Sequence, residues 1–234
     1  MSRLTLALDI MGGDNGPHII LSAALSALQQ TPHLHLILCG PLTIMSQWLS
    51  KQTSNIQSKV TLSDCPQNVS MAEAPAHALR HKKNSSMRRM LDLVNNNQAD
   101  GCVSSGNTGA LLSMAYHVLK TLPGIDRPAL ISLVPTMNNG KVYFLDLGAN
   151  INCDSEVLFQ YAVMGSVLAE QIANIKQPKV ALLNVGSEEI KGNDQIKLAA
   201  KLLMDSQNIN YIGFVEGNDI FSEKADVIVT DGFT

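Results

Sequence analysis

The residues able to do chemistry collect in a few short loops. Residues 104–110 read SSGNTGA and run directly into an aliphatic helical stretch. Unpaired N–H groups at a helix start, joined by the Asn107 and Thr108 side chains, suit a phosphate or a developing oxyanion. The loop is neither GxGxxG nor GxxxxGK[ST], and both fingerprints are absent from the whole chain, which argues against NAD- and ATP-linked chemistry. A second group is basic. Arg80, Lys82, Lys83, Arg88 and Arg89 are five of the 17 cationic side chains. Lys82 and Lys83 stand just before a helix start, where dipole and charge together favour an anion. The same five residues also fit a solvated helix face, or a surface that steers an acidic protein partner. In the third group, Lys191 is an isolated cation beside Glu188 and Glu189, with Asn193 two residues on. It is suited to phosphate or to charge on a carbonyl oxygen; an ion-paired surface lysine is the competing reading.

Further polar loops follow apolar runs. Asp9 leads into MGGDNGP, with Gly12, Gly13 and Asp14; Leu147 leads into GAN, with Asn150. Leu183 leads into NVGSEEIKGN, Val215 into EGND with Glu216, and Val229 into TDGFT with Asp231. Each alone reads as an ordinary turn. Together with Ser104, Ser105 and Gly106, six such loops at strand ends predict one large polar site along a common rim, where ligands of open α/β sheets bind. The six histidines never fall at metal-ligand spacing, although His33 and His35 alternate along a strand; no metal and no cofactor is expected. No GxSxG elbow is present.

These loops need a scaffold. The chain has 234 residues, a net charge of −3, 45% apolar, 4% aromatic and 16% charged residues. Such a composition excludes disorder, requires an aliphatic core and disfavours nucleic acid as a partner. No stretch reaches the roughly 20 apolar residues a bilayer span needs. Asp9 interrupts the N-terminal apolar run, which is unlike a secretory signal. Four scattered cysteines without a CxxC pair read as reduced thiols, and the compartment as cytoplasm.

Candidate strands are residues 4–9, 34–39, 59–62, 101–104, 130–134, 142–147, 180–184, 211–215 and 227–230; several are continuously apolar, which suits burial on both faces. Helical period appears over 17–30, 41–51, 85–96, 108–122, 155–174 and 194–206. Pro17 and Pro41 are placed as first helical residues, and Asn84, Asn107, Asp154 and Asn193 as N-caps. Alternating strand and helix predicts a three-layer αβα fold with a mostly parallel sheet. Asn139-Gly140 predicts a type I′ turn and one antiparallel hairpin, making the sheet mixed. The 157–173 segment is apolar nearly all round, as in a central core helix or a subunit interface. No linker marks a domain boundary, so a single α/β domain over 1–234 is expected.

At these same residues the chain resembles the bacterial acyl-ACP:phosphate acyltransferase family, PlsX. The motifs that carry the resemblance are ALDIMGGDNGP, ALRHKKNSSM, VSSGNTGALL, GIDRPAL, LDLGAN, LLNVGSEEIKGN, FVEGNDI and ADVIVTDGFT. It implies transfer of a long fatty-acyl group from acyl carrier protein to inorganic phosphate, giving acyl phosphate for phospholipid synthesis. It also implies a fold like that of phosphotransacetylases and isocitrate-type dehydrogenases, a homodimer, and association with the membrane periphery or a glycerol-3-phosphate acyltransferase. Family members continue past DGFT, so the resemblance implies a shortened chain lacking part of the site and of the dimer contact. Lys191, Asn193 and Asn107 are then expected to be catalytic. Gly12, Gly13, Asp14, Lys82, Lys83, Ser104, Ser105, Gly106, Thr108, Asn150, Glu216 and Asp231 would bind substrate. Arg80, Arg88 and Arg89 would meet the carrier protein. A coenzyme-A-dependent enzyme like phosphotransacetylase, and an inactive fragment or scaffold, are the alternatives.

Overall fold

A computed structural model describes residues 3–188 and 190–233; Glu189 and Thr234, both in loops assigned chemistry above, lie outside the described residues. The chain divides into two compact units, Met1–Lys120 and Thr121–Thr234, each with its own sheet, where the sequence predicts one. The missed boundary is short. Residues 121–130 hold Pro123, Gly124 and Pro128. Lys120 and Gly124 take φ of 65° and 84°, which stops the preceding helix.

In the first unit, β1 (Leu4–Asp9), β2 (Leu34–Gly40), β3 (Val60–Asp64) and β4 (Gly101–Val103) form an all-parallel sheet in the order β3-β2-β1-β4. Every residue of β2 is buried, as its unbroken apolar run requires. One face packs on α1 (Pro17–Gln30), α2 (Leu42–Leu49) and α3 (Ser54–Gln57) through Leu21, Leu28, Leu38, Met45 and Ile56. The other packs on α4 (Pro75–His81), α5 (Ser86–Asn95) and α6 (Thr108–Leu119) through Ala7, Ala78, Met87, Met90 and Met114. The sequence gives no sign of α3 and α4, which are too short to display a helical period.

The caps follow the sequence with two exceptions. Pro17 opens α1, but Pro41 stays extended, with ψ at 123°, as the residue before α2. α5 is capped by Ser85, whose Oγ accepts from Arg88 N at 3.2 Å. Asn84 is instead held by its backbone N–H, which donates to Gln67 Oε1 at 3.0 Å. Asn107 caps α6 by accepting from Ala110 N at 3.0 Å.

In the second unit, β5 (Ile131–Pro135), β6 (Lys141–Leu145), β7 (Lys179–Leu183), β8 (Asn210–Val215) and β9 (Val227–Val229) are ordered β5-β6-β9-β7-β8, with β5 antiparallel to β6. α7 (Ser155–Ala173) and α8 (Asp194–Asp205) cover one face, capped by Asp154 and Asn193 through bonds of 2.9 Å each. A Cβ at Gly165 would stand 2.5 Å from Val227 Cγ1, so α7 reaches β9 only because that residue is glycine. The inner side of α7 buries Val157, Leu158, Tyr161 and Ala169. Its outer side, with Val167 51% and Ile172 67% exposed, lines an apolar groove of about 590 Å³. At the sheet edge β8 carries Gly213 at φ 101°, and its pairing with β7 slips between Val180 and Leu182.

The predicted hairpin forms, with a different turn. Thr136 N donates to Gly140 O at 3.1 Å, leaving residues 137–139 as the loop. Asn139 alone enters the left-handed region, with φ at 66°, whereas type I′ needs two such residues. Gly140 serves space instead: a Cβ there would lie 2.5 Å from Glu223 Oε1, which accepts from Thr136 Oγ1 at 2.6 Å.

Asn107 carries an unusual share of the first unit. Its Nδ2 also donates to the carbonyls of Ser70, Met71 and Glu73 at 3.3, 2.9 and 2.9 Å. Asn107→Ala is expected to destabilise this unit by about 2 kcal/mol, the sum of a lost cap and lost tethers. Urea unfolding checks the magnitude, and limited proteolysis within 70–73 checks the tether.

Candidate active site

In the first unit the site begins with a buried carboxylate. Asp9 closes β1 at 2% exposure; its Oδ1 accepts from Met11 N at 3.0 Å and its Oδ2 from Ser104 Oγ at 2.8 Å. Ser104 Oγ in turn accepts from Gly106 N at 3.1 Å, and Ser105 Oγ donates to Gly12 O at 3.2 Å. A Cβ on Gly12 would stand 2.8 Å from Gly106 N, and Gly13 holds φ at 89°. Gly12, Gly13, Ser104, Ser105 and Gly106 therefore do come together, around an Asp9 that the sequence reading had treated only as a lead-in. The sole signal was a carboxylate ending an apolar strand. Thr108 opens α6 behind this loop, and Asp14 lies exposed farther along its own. The Met87 Cε of α5 would sit 2.8 Å from a Cβ on Gly106, so the start of α5 packs against the 104–106 loop.

The basic residues separate by environment. Arg80, Lys83 and Arg89 are exposed, Arg89 donating from Nε to Ser63 Oγ at 2.9 Å. Arg88 is only 20% exposed in its side chain and pairs with Asp92 at 2.9 Å. Lys82 Nζ lies 3.9 Å from Glu73 Oε1.

A second buried carboxylate organises the other unit. Asp146, 1% exposed, accepts from Leu130 N at 2.8 Å, Ala149 N at 3.2 Å, Asn150 N at 2.7 Å and Asn150 Nδ2 at 3.0 Å. Asn150 Nδ2 also donates to Pro128 O at 2.8 Å. Asn150 O accepts from Gly232 N at 2.8 Å, which joins the GAN and TDGF loops; Asp231 sits in that junction and its Oδ1 accepts from Phe233 N at 3.1 Å. Asn184, 5% exposed and missed by sequence reasoning, closes the next loop. Its Oδ1 accepts from Val185 N at 2.9 Å and its Nδ2 donates to Lys191 O at 3.1 Å.

Lys191 emerges from that closed loop. Its Nζ lies 2.9 Å from Glu188 Oε2, the i,i+3 pair the sequence offers as an alternative. Gly186 leaves room for its arm: a Cβ there would collide with Lys191 Cδ. Glu216 Oε1 accepts from Ser187 N at 3.2 Å in the same loop. The hydrogen bond to Glu188 raises Lys191 above its ordinary value, and the one from Lys191 holds Glu188 below the usual carboxylate range. The pair thus stays charged across neutral pH. It is lost in acid as Glu188 protonates, and in alkali as Lys191 deprotonates. Asn193 Oδ1 is spent on capping α8.

No described side chain in these clusters is an activated nucleophile. Ser104 donates its hydroxyl hydrogen bond directly to a carboxylate, without a histidine between them. Burial pushes the Cys102 and Cys153 thiols up, and Cys65, lowered by its bond with Cys39, is walled into the core at 2% exposure. The single predicted rim resolves into two sets, one ending the strands of each unit.

Mostly parallel sheets flanked by helices, with glycine loops and helix N-termini at the strand ends, define a mixed α/β fold. A branched-chain phosphotransacylase from Enterococcus faecalis V583 has that fold: it superposes with a TM-score of 0.62 at 14% identity, covering 96% of this chain and 78% of that one. Residues 4–234 match the family described as fatty acid synthesis protein, and the chain belongs to it. The phosphate acyltransferase of Pseudoalteromonas atlantica is 59% identical over 234 residues, all of this chain and 69% of that protein. That of Shewanella baltica strain OS155 is 56% identical over 233 residues and 68% of its length. The chain is an enzyme with an acyltransferase function.

Removing the Asp146 carboxylate strands four donors. Asp146→Ala is expected to cost about 3 kcal/mol, the scale of losing a buried hydrogen-bonded charge. Amide exchange should quicken at Leu130, Ala149 and Asn150 while the β7–β8 amides keep their protection.

Proposed function

We propose that the protein transfers a long acyl group from the thioester of acyl carrier protein to inorganic phosphate, giving acyl phosphate. The observation that carries this reading is the pairing of anchored glycine loops and a solvent-reaching lysine with the lack of an activated nucleophile among the described site residues. The nucleophile then comes with the substrate. A phosphate oxygen bonds to the thioester carbonyl carbon, the C–S bond breaks, and the thiol leaves with the proton that phosphate gives up. What the protein supplies is alignment and charge stabilisation of the tetrahedral oxyanion.

Lys191 is the residue we assign to phosphate or the oxyanion, with Asn193 fixing the adjoining helix start and Asn150 shaping the neighbouring loop. In the first unit, residues 104–108 with Lys82 and Lys83 are read as further anion-binding groups, Asn107 holding their geometry. Arg80 and Arg89 are the exposed cations for an acidic carrier protein; Arg88, already paired with Asp92, contributes less. A homodimer, on the resemblance alone, and a cytoplasmic location, on the scattered reduced cysteines, belong to the same reading. Among the described residues no helix is long and apolar enough to cross a membrane.

The test is phosphate-dependent thiol release from hexadecanoyl thioesters of acyl carrier protein and of coenzyme A by the 234-residue chain. Release from the carrier-protein donor is expected, and none with either donor refutes the function. Lys191→Ala should lower turnover by about 10²–10³, the usual loss for one oxyanion donor. Serine at Arg80 and Arg89 together should lower kcat/KM for the carrier-protein donor and flatten its salt dependence, with kcat unchanged.

A further inference from the structure

The carboxyl end of the second sheet is edged with apolar side chains that its fold does not use. Leu147 is 44% exposed, Ile151 62%, Val185 76%, Ile190 83% and Phe233 80%. One exposed aliphatic residue needs no explanation, but several on adjoining loops beside polar groups mark a contact surface. These five follow three neighbouring strands. Leu145 of β6, Val229 of β9 and Leu182 of β7 are in register across the sheet, and strands lie about 4.8 Å apart, so the three loops leave within about 10 Å of one another.

The loops are also held rigidly from within. Asp146 fixes the turn between Leu147 and Ile151, and Leu147 N donates to Leu130 O at 3.0 Å. Asn184 pins both ends of the segment from Val185 to Lys191. Gly232, bonded to Asn150 O, precedes Phe233. Asp146, Asn150 and Asn184 spend their polar atoms within these loops, and the five apolar side chains are exposed.

We propose that Leu147, Ile151, Val185, Ile190 and Phe233 form the binding surface for the alkyl chain of the acyl donor, with Lys191 beside it at the reacting head. The inference rests on the acyl-transfer reading and adds where the chain lies. It assigns the apolar edge to substrate selection: a chain too short to cover it gains nothing from it.

The test replaces Val185 and Ile190 by serine. Both side chains are solvent-facing, so folding is retained, and circular dichroism with an unfolding curve verifies it. kcat/KM for a hexadecanoyl thioester should fall about tenfold or more, while that for a butanoyl thioester changes less than twofold. Dodecanoate binding, measured by calorimetry without any reaction, should weaken by a similar factor. Equal loss for both chain lengths, or unchanged dodecanoate binding, overturns the proposal. Unaltered fatty-acid binding with reduced capture by phosphatidylglycerol vesicles also overturns it, in favour of a membrane contact. Absence of phosphate-dependent turnover in the unsubstituted protein would sink the acyl-transfer reading, and dodecanoate binding would still judge this surface.

Discussion

Two carboxylates buried where strands end hold the candidate-site loops in shape. Asp9 and Asp146 each sit at the carboxyl limit of a strand, and each gathers N–H or O–H donors from chain just outside the sheet. A buried ionised group is costly unless its lone pairs are filled, so the donors cannot drift without a large penalty. The loops thereby acquire fixed shapes without a helix or strand of their own. Glycine at positions 12 and 232 follows from this, because the gathered backbones pass too close for a side chain.

The same economy explains the division of labour among polar residues. Asn107, Asn150 and Asn193 look alike as candidates for substrate contact, yet their amides, like that of Asn184, hold caps and loop closures. What reaches solvent is a smaller set, with Lys191 foremost. A rigid polar understructure carrying a few projecting groups suits a reaction in which alignment matters more than covalent chemistry.

Much of this was legible in the sequence. Strands such as LILC and VALL declared themselves because burial on both faces demands unbroken aliphatic runs, and three of four predicted caps hold because Asn and Asp directly precede helical period. The glycine loops were legible as tight turns at strand ends. What stayed hidden depends on distance rather than type. Nothing in the local sequence separates Asn84 from Ser85 as the cap of α5, since the outcome turns on Gln67 binding the Asn84 amide. The split into two sheets was hidden because residues 121–130 are neither long nor of low complexity. Asp9 read as a loop lead-in and Asp146 as part of a strand, because Ser104 lies far along the chain and the turn that gathers Leu130, Ala149 and Asn150 exists only on folding.

The irregular edge at β8 has a consequence for the life of the protein in a crowded cell. A straight outer strand exposes a row of backbone donors and acceptors that any extended peptide can join. Gly213 in its left-handed conformation and the slip opposite Val180 break that row, so a stray strand would find its ladder interrupted partway. A flaw in pairing inside one molecule thus becomes protection against unwanted pairing between molecules.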